Sequence, residues 1–226
     1  YVAAVNSTNI IIRNVNLTNN GQGVVLVNSR NCLIENSVIT RDIGYYAIQL
    51  VDSDDNTISN NNITDIRNWP HTYFGVGIAI QRDSTGNTIR NNIIQNNELG
   101  ILFYNSGANI IYHNNFVGNA EQVESIGSTN TWDNGYPSGG NYWSNYTGTD
   151  EKSGSNQATP GKDGVGDTPH IIDETNRDRY PFMSILPKEG GNATISIDLT
   201  QILIEIAIIL AVIVLAYFLR TKARAS

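Results

Sequence analysis

The chain is poor in the residues that most often carry chemistry. Its 226 residues include one cysteine (Cys32), one methionine (Met183) and three histidines (His71, His113, His170). A single cysteine excludes an intrachain disulfide framework. Cys32 stands two residues before Ile34, as Ile10 stands before Ile12, so it reads as a small buried apolar residue and not as a reactive thiol. Copper wants clustered His, Cys or Met. The histidines lie in separate segments with no pair at ligand spacing, so a copper site is not expected. Positive charge is also scarce, 14 Lys+Arg against 21 Asp+Glu. Nucleic-acid binding needs clustered Lys and Arg, so that class is excluded. The Leu-x-x-Leu-x-Leu frame of leucine-rich repeats is absent.

Asparagine is abundant. Of 31 Asn, 25 fall in the first 130 residues. They belong to a repeat whose cleanest copy is Ser84-Thr-Gly-Asn-Thr-Ile-Arg-Asn-Asn-Ile-Ile94. Its Ser column is Ser7, Ser29, Ser53, Ser84, Ser106. Its Ile column is Ile12, Ile34, Ile58, Ile89, Ile111, and the next apolar column is Leu17, Ile39, Ile63, Ile94, Phe116. The Ile-to-Ile steps are 22, 24, 31 and 22 residues. Apolar residues two apart or in short runs have strand periodicity. Asn, Ser, Asp and Gly between them tolerate the backbone that corners need. One such unit is a coil of three short strands, and stacking at roughly 4.8 Å turns each column into a ladder of like residues. Parallel crossovers are right-handed. The expected fold is all-β: a right-handed parallel β-helix of about five coils.

The expected organisation is coils over 1–129, a Gly- and aromatic-rich cap over 130–187, a linker over 188–198, a transmembrane helix over 199–219 and a basic cytoplasmic tail over 220–226. Trp132 falls 21 residues after Ile111 and is expected to occupy the Ile column. Leu199 to Leu219 carries one charge, Glu205, and is long enough to span a bilayer. Arg220, Lys222 and Arg224 follow, which puts the tail inside and the β-helix outside the cell membrane. The chain opens partway round a coil, so an upstream region is expected to cover the first one.

Two insertions fall at one corner, Arg41–Tyr46 and Asp65–Phe74, and gather Tyr45, Tyr46, Trp69, His71, Tyr73 and Phe74. Flat rings on a rigid face stack on sugars, and the alternative is rings packing the inserted loop onto the coils. Asp52 and Asp83 share a corner column. If Gln81 is the extra residue of its coil, they stack about one rung apart, near the spacing of a retaining glycosidase pair; equally, Asp replaces Asn at corners because both make turn hydrogen bonds. Asp163-Gly-Val-Gly-Asp167, with Asp150 and Asp173, offers hard oxygen ligands for calcium, or simply a turn held by Asp side chains. Sequons at Asn6, Asn16, Asn62, Asn145 and Asn192 make N-glycans plausible on the outside part.

The coils containing Asn56-Thr-Ile58 and Asn87-Thr-Ile89 resemble the NosD-like, carbohydrate-binding and sugar-hydrolase β-helix repeats. Trp132-Asp-Asn-Gly135, Gly139-Gly-Asn-Tyr-Trp-Ser-Asn-Tyr146, Asp163-Gly-Val-Gly-Asp-Thr-Pro169 and Asp178-Arg-Tyr-Pro181 resemble the end of NosD-like surface proteins of the archaeal type. The resemblance implies a secreted or surface-anchored right-handed β-helix, in a family named for an accessory protein of copper insertion. The leading expectation is a membrane-anchored, non-enzymatic surface protein binding cell-envelope polysaccharide or surface proteins. The alternatives are an envelope polysaccharide hydrolase or lyase using Asp52 and Asp83, and a copper accessory protein.

Overall fold

The structure is a computed structural model that describes residues 1–41, 45–67 and 75–188. The expected transmembrane helix, Glu205, the basic tail, most of the linker and the sequon at Asn192 lie outside the described residues. Among the described residues no helix is long and apolar enough to cross a membrane.

The coils run in chain order. The first turn is β1 (Val2–Val5), β2 (Ile11–Arg13) and β3 (Asn16–Thr18). The second is β4 (Val24–Val27), β5 (Leu33–Glu35) and β6 (Val38–Thr40). The third is β7 (Tyr46–Val51), β8 (Thr57–Ser59) and β9 (Asn62–Thr64). The fourth is β10 (Val76–Gln81), β11 (Thr88–Arg90) and β12 (Ile93–Gln95). The fifth is β13 (Leu99–Tyr104), β14 (Ile110–Tyr112) and β15 (Asn115–Val117). A sixth is begun by β16 (Glu121–Ile126) and closed by β17 (Tyr142–Trp143). Equivalent strands pair in parallel into three sheets: β1-β4-β7-β10-β13-β16, β14-β11-β8-β5-β2 and β17-β15-β12-β9-β6-β3. Coils and cap fall in one compact unit, Tyr1–Glu189.

The solenoid therefore has about six turns, one more than the repeat count. The sixth rung escapes the Ser-x-x-x-x-Ile pattern because two tryptophans build it. The bridge Ile110↔Thr131 sets Trp132 beyond Ile111 in the Ile column. Phe116 pairs with Trp143, and their rings stack at 4.2 Å and 5°. Both tryptophans are essentially fully buried.

The asparagines do two jobs. Some hold the corners. Asn6, Asn28, Asn105, Asn14, Asn36, Asn60, Asn91, Asn19 and Asn96 all have φ between 47° and 58°. Asn visits this left-handed region at low cost. Others sit inside and bond the coils together. The backbone N–H of Asn56 donates to Asn87 Oδ1, Asn87 to Asn109, and Asn109 to Asn130, each at 2.9 Å. A second ladder runs Asn61 to Asn92 to Asn114 to Asn141. Each Oδ1 takes a corner N–H that no strand ladder reaches, while Nδ2 returns to carbonyls such as Ser29, Ser53 and Ile58. Burial of these amides is tolerated because both ends are paired, except at Asn130, whose Nδ2 is left without an acceptor. Cys32 occupies the same column in the second coil, buried, with its N–H on Asn56 Oδ1.

Candidate functional site: the outer face of the long-strand sheet

The sheet β1-β4-β7-β10-β13-β16 has the longest strands, up to six residues. Its inward columns are apolar: Val24, Ile48, Ile78, Ile101 and Val123, and Leu26, Leu50, Ile80 and Phe103. The strands bend at Ala47, Gly77 and Gly100. A Cβ on Gly77 would lie 2.6 Å from Gly100 O and 3.3 Å from the core side chain of Ile94, so only glycine fits. The bend turns the preceding residue outward. Tyr46, Val76 and Leu99 thus join Ala79 and Leu102 in a second apolar cluster, separate from the core.

Across this outer face runs a diagonal series of side-chain amides. Gln22 Nε2 donates to Gln49 Oε1 at 3.1 Å, and Gln49 Nε2 donates to Gln81 Oε1 at 2.9 Å. Gln81 Nε2 reaches the Tyr46 hydroxyl at 3.4 Å. All four side chains are half-buried. At the rim, Tyr45 and Tyr104 are 44% and 46% exposed. Tyr45 and Tyr46 lie 6.2 Å apart, ring to ring. The arrangement offers oriented amide donors and acceptors beside aromatic and apolar surface, with no formal charge in the series. That chemistry matches polyhydroxylated rings.

The structure thus brings Tyr45 and Tyr46 to one face. Trp69, His71, Tyr73 and Phe74 lie outside the described residues. The glutamines escaped the sequence because they stand in three columns on three coils. A diagonal contact leaves no vertical repeat.

The premise that Gln81 is the extra residue of its coil is corrected by the register. Gln81 pairs with Val51 on one side and Tyr104 on the other. The N–H of Asp52 donates to Gln81 O, and that of Arg82 to Tyr104 O. Arg82, not Asp83, therefore continues the column Asn6, Asn28, Asp52, Asn105. Asp83 is the inserted residue. Ser84 Oγ accordingly reaches three residues back, to Gln81 O, where Ser29, Ser53 and Ser106 reach two. Asp52 and Asp83 are both exposed, at φ 50° and 55°.

A Ser–His contact exists elsewhere and points away from nucleophilic catalysis. His113 Nε2 lies 3.3 Å from Ser138 Oγ but 2.7 Å from Ser138 O. A carbonyl only accepts, so geometry assigns the proton to Nε2, which then has no lone pair to receive one from the serine.

The four aspartates of the cap loops are engaged by donors. Asp150 accepts the N–H groups of Asp163 and Gly164. Asp163 accepts those of Gly154 and Val165, with Gln157 Nε2. Asp167 accepts those of Glu151 and Lys152, and Asp173 those of Thr175 and Asn176. Partial burial raises the Asp163 and Asp173 carboxyls, but these donors outweigh it and hold both below the usual range. Among the described residues no three His, Cys, Asp or Glu side chains converge on a metal-sized site. Cys32 Sγ is spent on Arg30 O. His170 is stacked on Trp143 at 4.5 Å, and burial lowers its basicity. The described donors therefore do not fit a copper ligand set. Of the sequons, Asn6, Asn16 and Asn145 are exposed and Asn62 is half-buried.

The cap closes the ladders with two residues to which the sequence had assigned no role, Asn176 and the Asp178 of the Asp178–Pro181 motif. Asn176 Oδ1 receives Asn130 N–H at 2.9 Å and Trp132 Nε1 at 3.1 Å. Asp178, fully buried, receives Asn141 N–H at 2.7 Å and Trp143 Nε1 at 2.9 Å. A side chain at Gly140 would overlap the Asp178 carboxyl. Nearby, Arg179 grips Asp133 through Nε at 2.9 Å and Nη2 at 2.6 Å.

The family model described as the periplasmic copper-binding protein NosD matches residues 2–148 of the chain. No curated protein and no solved structure matches it.

Proposed function

The chain belongs to the NosD family of right-handed parallel β-helix proteins, and we propose that it is a non-enzymatic envelope protein that binds glycan on the outer face of its long-strand sheet. The observation that carries this reading is the amide series Gln22, Gln49, Gln81 and Tyr46, beside the apolar cluster of Val76, Leu99 and Leu102. The series is held by its own hydrogen bonds, so less side-chain entropy is lost when a sugar docks. A periplasmic or extracellular β-helix suits the family's description. Anchoring through the apolar run 199–219 completes the proposal. Copper delivery is not proposed, because the described donors do not fit it. Hydrolysis by Asp52 and Asp83 is not favoured, because Arg82, and not Asp83, follows Asp52 in the column.

The test mixes the purified chain with a panel of cell-envelope polysaccharides and reads retained polymer and newly formed reducing ends. Retention without new ends is expected. Gln49→Leu breaks the series at its centre and is expected to weaken retention about tenfold, the worth of one or two hydrogen bonds. Retention unaffected by Gln49→Leu rejects this face. New reducing ends that vanish in Asp52→Asn make the protein a hydrolase instead.

A further inference from the structure

A concavity lies in the cap, lined by none of the residues of the sheet face. Its volume is about 300 Å³, and its walls include Asn156, Gln157, Pro169, Arg177, Arg179 and Tyr180. That is the lower end of the range for small-molecule sites. Three features single it out.

The first is charge. The chain as a whole carries −7, yet two guanidinium groups meet here. Arg179 is held in place by Asp133 and lies 5.3 Å over the Tyr180 ring. Arg177 is exposed and makes no ion pair among the described residues. Asp167, also in the wall, already spends its oxygens on the N–H groups of Glu151 and Lys152.

The second is an unmet acceptor. Gln157 is 8% exposed, and its Oε1 has no hydrogen-bond partner. Its Nε2 is fixed on Gly154 O and Asp163 Oδ2, so exchanging the amide atoms would set an oxygen against two acceptors. A buried acceptor left without a donor is costly and calls for one. Gln157 is also held at φ 46°, an unusual backbone for this residue type.

The third is a flat wall. Pro169 and the Tyr180 ring line the cleft, with the Tyr180 hydroxyl anchored on Ser155 O at 3.0 Å.

A ligand that answers all three carries a carboxylate for the Arg177 fork, a hydroxyl donor for Gln157 and a ring for the wall. We propose that this cleft binds an acidic sugar unit, a uronate, with Arg177 as the carboxylate-binding residue. The site goes beyond the sheet face and shares no residue with it.

The experiment titrates D-glucuronate into the full-length chain by calorimetry, with D-glucose and inorganic sulfate as separate probes. Glucuronate is expected to bind in the millimolar range, with glucose and sulfate each at least tenfold weaker. Arg177→Gln is expected to lose tenfold or more in glucuronate affinity with an unchanged unfolding midpoint, because the side chain is exposed. Arg177→Lys, which keeps the charge but not the fork, is expected to fall between. Gln49→Leu on the sheet is expected to leave glucuronate binding untouched, which separates this site from the face. Equal affinity for glucose, or no loss in Arg177→Gln, overturns the proposal. Equal affinity for sulfate reduces the site to a plain anion hole and overturns the sugar.

Discussion

In the coils, the N–H of Asn61 is received by Asn92, that of Asn92 by Asn114, and that of Asn114 by Asn141. In the cap, the N–H of Asn141 goes to Asp178 and the series stops. The difference lies in the side chain. An asparagine accepts through Oδ1 and donates through Nδ2, so each rung can serve both neighbours. An ionised carboxylate only accepts. Asp178 takes N–H groups from Asn141, Trp143 and Tyr180 and hands nothing on. The other ladder ends by imitation. Asn176 Nδ2 bonds Ser128 O as Asn56 Nδ2 bonds Ser29 O, so a cap residue poses as one more coil. Repetition builds the coils and single-use partners build the cap.

That contrast can be broken first at the shared rung. Trp132 is fully buried, meets Phe103 edge-on at 5.7 Å and donates Nε1 to Asn176. Trp132→Ala is expected to cost about 3–5 kcal/mol, read from the midpoint of urea unfolding. A loss under about 1 kcal/mol would mean that the cap is not part of the cooperative core.

A smaller effect sharpens the coil side. Asn92→Ala strands the N–H of Asn61 and takes a donor from the carbonyls of Ile58 and Arg90, the latter keeping the N–H of Asn60, for about 2–4 kcal/mol. The second coil supplies the control. There Ser37 holds the same column and receives Val15 N–H at 3.2 Å. Asn92→Ser is therefore expected to recover part of the loss, which separates the acceptor's contribution from simple packing. Equal losses for Ala and Ser would show that volume, not the hydrogen bond, sets the cost.

The same contrast explains what the sequence made legible. Columns repeat, so the coils, the Ser and Ile ladders and the entry of Trp132 into the Ile column were readable in advance. The count fell one short because Trp143 enters its column 27 residues after Phe116, past the Gly-rich loop. Spacing alone did not tell which of Gln81, Arg82 and Asp83 was the inserted residue. The strand register and the serine's hydrogen bond reveal it. Gln22, Gln49 and Gln81 meet diagonally, and Arg177, Tyr180 and Gln157 meet through loop closure. Neither pattern leaves a period to find.

The ladder's end sets a pH test. Burial lifts the Asp178 carboxyl from the usual 3.8 to about 7, against the N–H donors of Trp143, Asn141 and Tyr180, and the charge of Asp133 adds a smaller push upward. Between about pH 4 and 7 the unfolded chain releases this proton while the folded chain keeps it. The folded state then binds more protons, so stability from this group falls as pH rises through the window and levels off above 7. Two neighbours act with the opposite sign. Burial raises Asp133 as well, but the bonds from Arg179 and Gly135 outweigh it and depress it, so its contribution is lost as pH falls below 3.8. His170, across the strand pair from Asp178, is lowered from 6.5 by burial, so it costs stability in acid. Arg179 stays charged throughout, raised further by its bond to Asp133. The informative quantity is therefore the difference between parent and Asp178→Asn, in which the neighbours cancel. The variant's amide also keeps an acceptor for Asn141. Urea unfolding at pH 5 and pH 8 is expected to show the parent losing about 2–3 kcal/mol more than Asp178→Asn on going from acid to base. Parallel losses would mean that the three donor residues keep Asp178 ionised in the fold, with the ladder ending on a charge throughout the range.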